Sequence, residues 1–328
     1  MKFVMAFFVM VVHFSPFKTI HPVLHFISIH GFTRIAVPFF FLSSGFLLSE
    51  HGHIPKPHLT KTLFKLLKLY LFWTLIYSPL ILLQLINTPT TQHWLITLSR
   101  NVFFEGSFIH LWYFVASIIG LIIVTTLQKM LNTRNVFISL GFLFILGVLG
   151  DSYYGLSMTI PYLNIFKTTL FQFINTTRNG VFFAPLFIYT GMFIKQTQPD
   201  IKKQTLLISL ICFLTLSMIE IFFLRSQGWA KDYNLTFFIY PLSIITFLIS
   251  LQIKVSFNTD LYRSMATTLF YIHIYAYVLV QTILYQGDIT RFRNYGLLDF
   301  VLAFLLSLLL TKLFHRFKHL RFVKEMMM

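Results

Sequence analysis

The chain has 328 residues, 56% of them hydrophobic and only 11% charged, with 41 phenylalanines and a formal net charge of +16. A soluble domain carries about 25% charged residues, so a soluble globular fold is excluded. Disorder is excluded because apolar surface is abundant, and a disulfide scaffold because there is one cysteine, Cys212, expected to pack as a small hydrophobe in its apolar run.

A helix that crosses a bilayer needs roughly 20 apolar residues. Apolar runs bounded by polar, proline or glycine stretches predict helices at Lys2–Phe14, Ile35–Leu48, Leu63–Ile86, Phe108–Leu127 and Val136–Gly150. Five more are predicted at Gly180–Ile194, Leu206–Leu224, Leu235–Leu251, Met265–Tyr285 and Leu297–Phe314. The chain therefore reads as an all-α polytopic membrane protein of about ten transmembrane helices. A single integral-membrane domain covers residues 1–328, with no soluble domain expected. The first run has the basic residue and apolar stretch of a signal peptide, but no small-residue cleavage site follows, so it is read as a retained span. It is short for a full crossing, which also fits a truncated start. Between the fifth and sixth spans, Ile160–Ile174 has apolar residues at near-helical spacing and predicts either an amphipathic helix on the outer interface or a loop.

A charge of +16 in a soluble protein would suggest nucleic acid. In a membrane protein, basic loops set topology and touch anionic headgroups, so the expected partner is the lipid bilayer and not nucleic acid. With the N-terminus in the cytoplasm, 17 of the 26 Lys and Arg fall on the inner side and nine on the outer. That bias predicts a multi-pass protein of the cell membrane with both termini cytoplasmic.

Ionisable side chains are expensive inside a bilayer, so each one marks a candidate site. His13 ends the run MAFFVMVVHF, eleven residues after Lys2. That spacing returns to the same helix face about 16 Å along the axis. A cation and a deeper imidazole on one face fit a shared cavity; a topological lysine with a structural histidine fits as well. His273 in FYIHIYAY lies at similar depth, and sequence alone cannot bring the two helices together. His110 and Trp112 open the fourth span in EGSFIHLWYF, with Glu105 just before as an acid partner for a histidine or arginine. Trp112 and Tyr113 also fit an aromatic belt. Arg34 and Arg178 precede outer helix starts, where a guanidinium clamps phosphate or carboxylate, or simply snorkels. Glu220 is expected to pair with Arg225. His51, His53 and His58 crowd one inner loop, at spacing that fits no standard metal site. No metal is expected, and there is no phosphate-binding glycine loop or nucleophile elbow.

Taken together, VVHF in the first span, TRIAVPFFFLSSGFLLSE across the second, HLWYF opening the fourth, TRNGVFFAPLFIYTGM in the sixth and FYIHIYAY in the ninth resemble the acyltransferase-3 family of membrane acyltransferases. The likeness covers nearly the whole chain. It implies transfer of an acyl group, often acetyl, from a cytoplasmic acyl-CoA such as acetyl-CoA, with no bound cofactor. The implied acceptor is a hydroxyl of an envelope glycan or a lipid-linked sugar. It also implies that His13 matches a catalytic histidine, as base or acyl relay. Lys2 takes the place of the family's arginine ten or so residues earlier, keeping the charge and losing the planar fork. Arg34, His110, Trp112, Arg178 and His273 are carried over as substrate- or donor-binding positions. Many relatives have an added esterase-like domain; a chain without one is expected to acylate its acceptor directly or to hand the group to a separate extracytoplasmic transferase. Two other functions fit a polytopic chain: transport of a small polar solute, for which Pro38, Pro185 and Pro241 supply helix breaks, and a silent membrane scaffold.

Overall fold

A computed structural model describes residues 1–86, 99–253, 260–284 and 296–317. Six basic residues used above for orientation, Lys254, Arg291, Arg293, Lys318, Arg321 and Lys324, lie outside this set, as does Tyr285. Among the described residues every regular element is helical: α1 Lys2–Phe14, α2 Pro22–His30, α3 Ala36–Leu48, α4 Lys56–Ile86, α5 Trp112–Met130, α6 Thr133–Gly150 and α7 Tyr154–Thr159, followed by α8 Pro161–Phe173, α9 Ala184–Thr197, α10 Lys203–Gln227, α11 Ile239–Gln252, α12 Asp260–Leu284 and α13 Leu297–Arg316. A 3-10 turn, Phe32–Ile35, joins α2 to α3.

Each of the ten predicted spans falls on one of these helices. Among the described residues, seven segments are long and apolar enough to cross a membrane: Pro22–Leu48, Lys56–Leu83, Trp112–Met130, Thr133–Gly150, Lys203–Gln227, Met265–Leu284 and Leu297–Arg316. The helices α1, α9 and α11 have only 13 or 14 residues. At 1.5 Å per residue they rise about 20 Å, against a hydrocarbon core of about 30 Å. Lengths thus support seven crossings and leave three short helices packed among them. The sequence stretch at 160–174 is helical, with Tyr162, Ile165 and Phe173 exposed.

Helix α1 stops just after His13 because Ser15 adopts the left-handed conformation and Pro16 cannot continue a helix. Its two faces serve different clusters. Met5 and Val9 join a core built from α3, α6, α9 and α11, while Ala6, Met10, Val11 and Phe14 join a second core with α4, α12 and α13. The first core rests on a backbone contact. A Cβ on Gly45 would stand 1.9 Å from the Ile188 carbonyl oxygen, and one on Gly191 would stand 2.1 Å from that of Leu42. Small residues let α3 and α9 touch, which in a bilayer substitutes for the missing hydrophobic drive between helices. On the far side, Ile208, Ile211, Ile219 and Phe222 of α10 face outward, and Cys212 is exposed with them. The thiol therefore lies on the apolar periphery rather than in the core: where lipid replaces water, apolar runs need not be buried.

Candidate functional site

Three histidines from distant parts of the chain meet. The ring centroid of His273 on α12 lies 5.4 Å from that of His13 and 5.2 Å from that of His110. Phe14 packs 5.6 Å from His273 and stacks on Tyr277 at 4.4 Å, which fixes the last turn of α1. His110 is positioned by the loop before α5. There Gly106 sits at φ +82°, and a Cβ would fall 2.2 Å from the amide nitrogen of Trp112, so only glycine makes this turn. The Tyr70 hydroxyl accepts from the Ser107 amide at 2.9 Å and donates to the Val102 carbonyl at 2.7 Å, tying the loop to α4. The Tyr77 ring lies 4.8 Å from His110.

The cluster is short of partners. His273 and His110 are 0% and 1% exposed. The Nδ1 of His273 meets the Leu269 carbonyl at 2.9 Å, but its Nε2 has no partner, nor has either ring nitrogen of His110. Buried polar groups are rarely left so.

Two cavities approach these imidazoles from opposite ends of α12. One, of about 430 Å³, is lined by His13, Glu105, Trp112, Arg178 and, along α12, by Ile274, Tyr277, Val278 and Gln281. The other, of about 350 Å³, is lined by Lys2, Ser44, Lys65, Tyr113 and, along α12, by Ala266, Thr267, Phe270 and Tyr271. They are called outer and inner here, following the expected orientation. Lys2 and His13 therefore do not share one cavity. They open onto different ones at the two ends of α1.

Beside His13, a crevice of about 50 Å³ leads to Arg34, Arg178 and Asn234. Arg34 does not snorkel. It donates to the Ile29 carbonyl at 2.7 Å, pairs with Asp232 at 3.2 Å and bonds the side-chain oxygen of Asn234. The Asn234 amide donates in turn to Asp232 at 2.5 Å and Asp151 at 3.4 Å. Asp151 also accepts from the backbone of Asn234 at 3.1 Å and the Ser152 hydroxyl at 3.2 Å. Burial, reinforced by Asp232, pushes the Asp151 carboxyl up to about 6, against the pull of the Asn234 amide, Arg34 and Arg178. Burial also acts to raise Asp232, but Arg34 and Arg178 outweigh it and hold that carboxyl below its usual range. Arg178 is looser: its guanidinium lies 4.7 Å over the Trp112 ring, reaches Asn234 only at 3.5 Å, and its Nε has no partner. Burial pulls its pKa down, with Asp232 opposing.

Several expectations change. Trp112 is buried against Phe41 and Phe183 and is not a belt residue, because it serves as the platform for Arg178. Glu105 lines the outer cavity, but its carboxylate takes the backbone amide of Asn175 and, at 2.8 Å, its side-chain amide, rather than a histidine. Glu220 accepts from the Phe237 and Phe238 amides at 2.7 and 3.0 Å and from Tyr153 at 3.1 Å; Arg225 instead covers the Phe26 ring. The tip of the 233–238 loop needed capping more than the arginine needed a counter-ion. His58 pairs with Glu50 at 3.3 Å, and no group of three metal-binding side chains forms among the described residues. Sequence reasoning missed Asp151, Asp232 and Asn234. A signal was present: the chain has only ten acidic residues, and two stand at outer helix ends opposite Arg34 and Arg178.

A family model described as an acyltransferase domain matches residues 1–316. An amino-acid racemase of Enterococcus faecalis is 32% identical over 319 residues, which is 94% of this chain and 44% of that protein. A serine/alanine racemase of Enterococcus gallinarum is 28% identical over 324 residues, 97% of this chain and 45% of that protein. The chain thus spans less than half the length of these curated relatives. No solved structure matches it. With the family match running through both cavities and all three histidines, the chain belongs to the acyltransferase-3 family.

Proposed function

We propose that the protein is a membrane O-acyltransferase that moves an acyl group, acetyl in the simplest case, from an acyl-CoA in the inner cavity to a hydroxyl in the outer one. A cell-envelope glycan, a lipid-linked sugar or another exported molecule would supply that hydroxyl. One observation supports this above the others: of two cavities at opposite ends of α12, the outer is lined by His13, and the inner is lined by Phe270, whose ring lies 5.7 Å from that of His110. The inner cavity has Lys2 and Lys65 at an otherwise largely apolar lining. That composition suits a donor with phosphates at one end and an uncharged thioester at the other.

The chemistry asks little of the protein beyond a base and position. Imidazole titrates near 6.5 and accepts a proton at neutral pH. His13 takes the proton of the acceptor hydroxyl as its oxygen bonds to the thioester carbonyl carbon. The carbon–sulfur bond then breaks, and the CoA sulfur receives the proton from His13. A relay variant, in which the imidazole carries the acyl group between two half-reactions, balances equally. Arg178, over Trp112 in the same cavity, is suited to an anionic group of the acceptor or to charge on the carbonyl oxygen.

Transport is the second reading. What favours it is that the relatives matched across nearly the whole of this chain are named for amino-acid racemisation, not acyl transfer. Under it, the two cavities are the entry and exit of a small amino acid. Reconstituted protein tests both. Free CoA is followed from acetyl-CoA with and without an envelope-glycan extract, and uptake of labelled L-serine and L-alanine is followed in the same vesicles. Acyl transfer predicts CoA release by the wild type and none by His13→Ala. Uptake without CoA release under any acceptor condition replaces the enzyme by the transporter.

A further inference from the structure

No histidine lines the inner cavity, and Phe270 is among the lining residues that also touch the cluster. Along α12, Phe270 is the last residue but one to line the inner cavity, and Ile274 is the first to line the outer. His273 lies between them, fully buried. The Phe270 ring has the inner cavity on one side. On the other it meets His110 at 5.7 Å and His273 at 6.4 Å between centroids. Tyr113 at 5.6 Å and Phe114 at 6.1 Å complete the wall.

Tyr113 is held by Ser44 at 3.3 Å and stacks on Phe41 at 4.9 Å. Tyr77, behind His110, donates to the Tyr271 carbonyl at 2.6 Å. Phe270 has ring contacts alone, Tyr271 at 5.5 Å among them, is only part-buried, and borders the inner cavity of about 350 Å³. Immediately behind it are the unpartnered nitrogens of His110 and the unpartnered Nε2 of His273. An apolar ring over three unpartnered imidazole nitrogens leaves buried polar atoms that the closed wall alone does not satisfy.

We propose that the Phe270 ring is the barrier between the two cavities and the residue that sets which acyl end reaches the histidine cluster. The size limit rests on the acyltransferase function proposed above; the barrier does not. A short acyl end needs only a small displacement of the ring, while a long one meets it.

The test uses the full chain in vesicles with Phe270→Ala, Phe270→Leu and Phe270→Trp. Turnover of acetyl-, butanoyl- and hexanoyl-CoA gives the size preference. The ratio of hexanoyl to acetyl turnover is expected to rise about tenfold or more in Phe270→Ala, less in Phe270→Leu, and to fall in Phe270→Trp. A uniform loss with an unchanged ratio in all three means that Phe270 merely packs, and overturns the size limit. Modification of imidazoles by diethyl pyrocarbonate, mapped by peptide mass spectrometry, reads the barrier without any turnover. The wild type should modify at His13 and spare His110. Phe270→Ala should modify His110 several-fold faster, and Phe270→Trp should spare it. Equal His110 modification in wild type and Phe270→Ala overturns the barrier. Absence of CoA release from wild type with every thioester would refute the enzyme reading, while the His110 labelling would still decide the role of Phe270.

Discussion

Two polar groups border His13, one across a small crevice and one in ring contact with it, and they are built on opposite principles. In the outer network, Arg34, Asn234, Asp232 and Asp151 spend nearly every donor and acceptor on one another or on nearby backbone. In the histidine cluster, three ring nitrogens on two fully buried residues have no partner. An unpaired buried polar group costs about 1–3 kcal/mol, so a protein retains one only for a use. Satisfied groups hold the turn before α3, the end of α6 and the 231–238 loop together; under the proposed function the unsatisfied ones are left for a substrate. Arg178 stands between the two, with one long bond into the network and a buried Nε without a partner.

The sharpest break between the two regions is His13→Ala. It should lower thioester turnover by about 10²–10⁴, the usual worth of a general base, while leaving thermal stability in detergent close to wild type. A large drop in melting temperature with turnover scaling to the folded fraction would make His13 structural. Arg34→Ala should do the reverse. Asp232 is 41% exposed, so the ion pair itself contributes little. The loss comes from the uncapped Ile29 carbonyl and the abandoned Asn234, about 2–3 kcal/mol in chemical or thermal unfolding. Arg178→Lys keeps the charge but loses the planar fork and its stacking on Trp112. We expect about a tenfold fall in turnover, felt mainly in the acceptor KM, with stability changed by less than about 1 kcal/mol. An unchanged acceptor KM with lost stability would move Arg178 wholly into the structural network.

The last effect is a slope with pH. Asp151 is held at about 6 in the folded protein, above its ordinary value of 3.8. A carboxyl whose folded pKa is raised binds its proton more tightly when folded. The stability that this supplies is present below about pH 4 and is lost as pH rises toward 6. Asp151→Asn mimics the protonated form and keeps an oxygen for the Asn234 amide. Between pH 4 and 6 the variant should lose less stability than wild type. Parallel profiles for the two proteins would show that the carboxyl does not carry this linkage.

Much of the architecture was legible because a bilayer imposes a simple code. Every predicted apolar run became a helix, since backbone groups in lipid must satisfy themselves. The three short helices were visible as short runs, yet their packing was not, because it depends on the mutual approach of Gly45 and Gly191 across 146 residues of sequence. Residue chemistry singled out His13, His110, His273, Arg34 and Arg178 as costly in place. It misassigned Glu220, whose partners are backbone amides and Tyr153 in loops that no helical periodicity describes; Glu105 does line the outer cavity with Arg178, while its hydrogen bonds go to Asn175.

Composition and periodicity by themselves determined that this is a helical membrane protein, roughly where its helices run, and which side chains are too expensive to be idle. Those properties are local: transfer cost and period are summed over adjacent residues. Tertiary structure alone decided that α1, α12 and the loop before α5 meet, that Lys2 and His13 open onto different cavities, and that Phe270 stands between them. Such juxtapositions depend on which helix faces touch, and in lipid that choice is made by close packing and by pairing of polar groups from distant segments, which no single stretch of chain records.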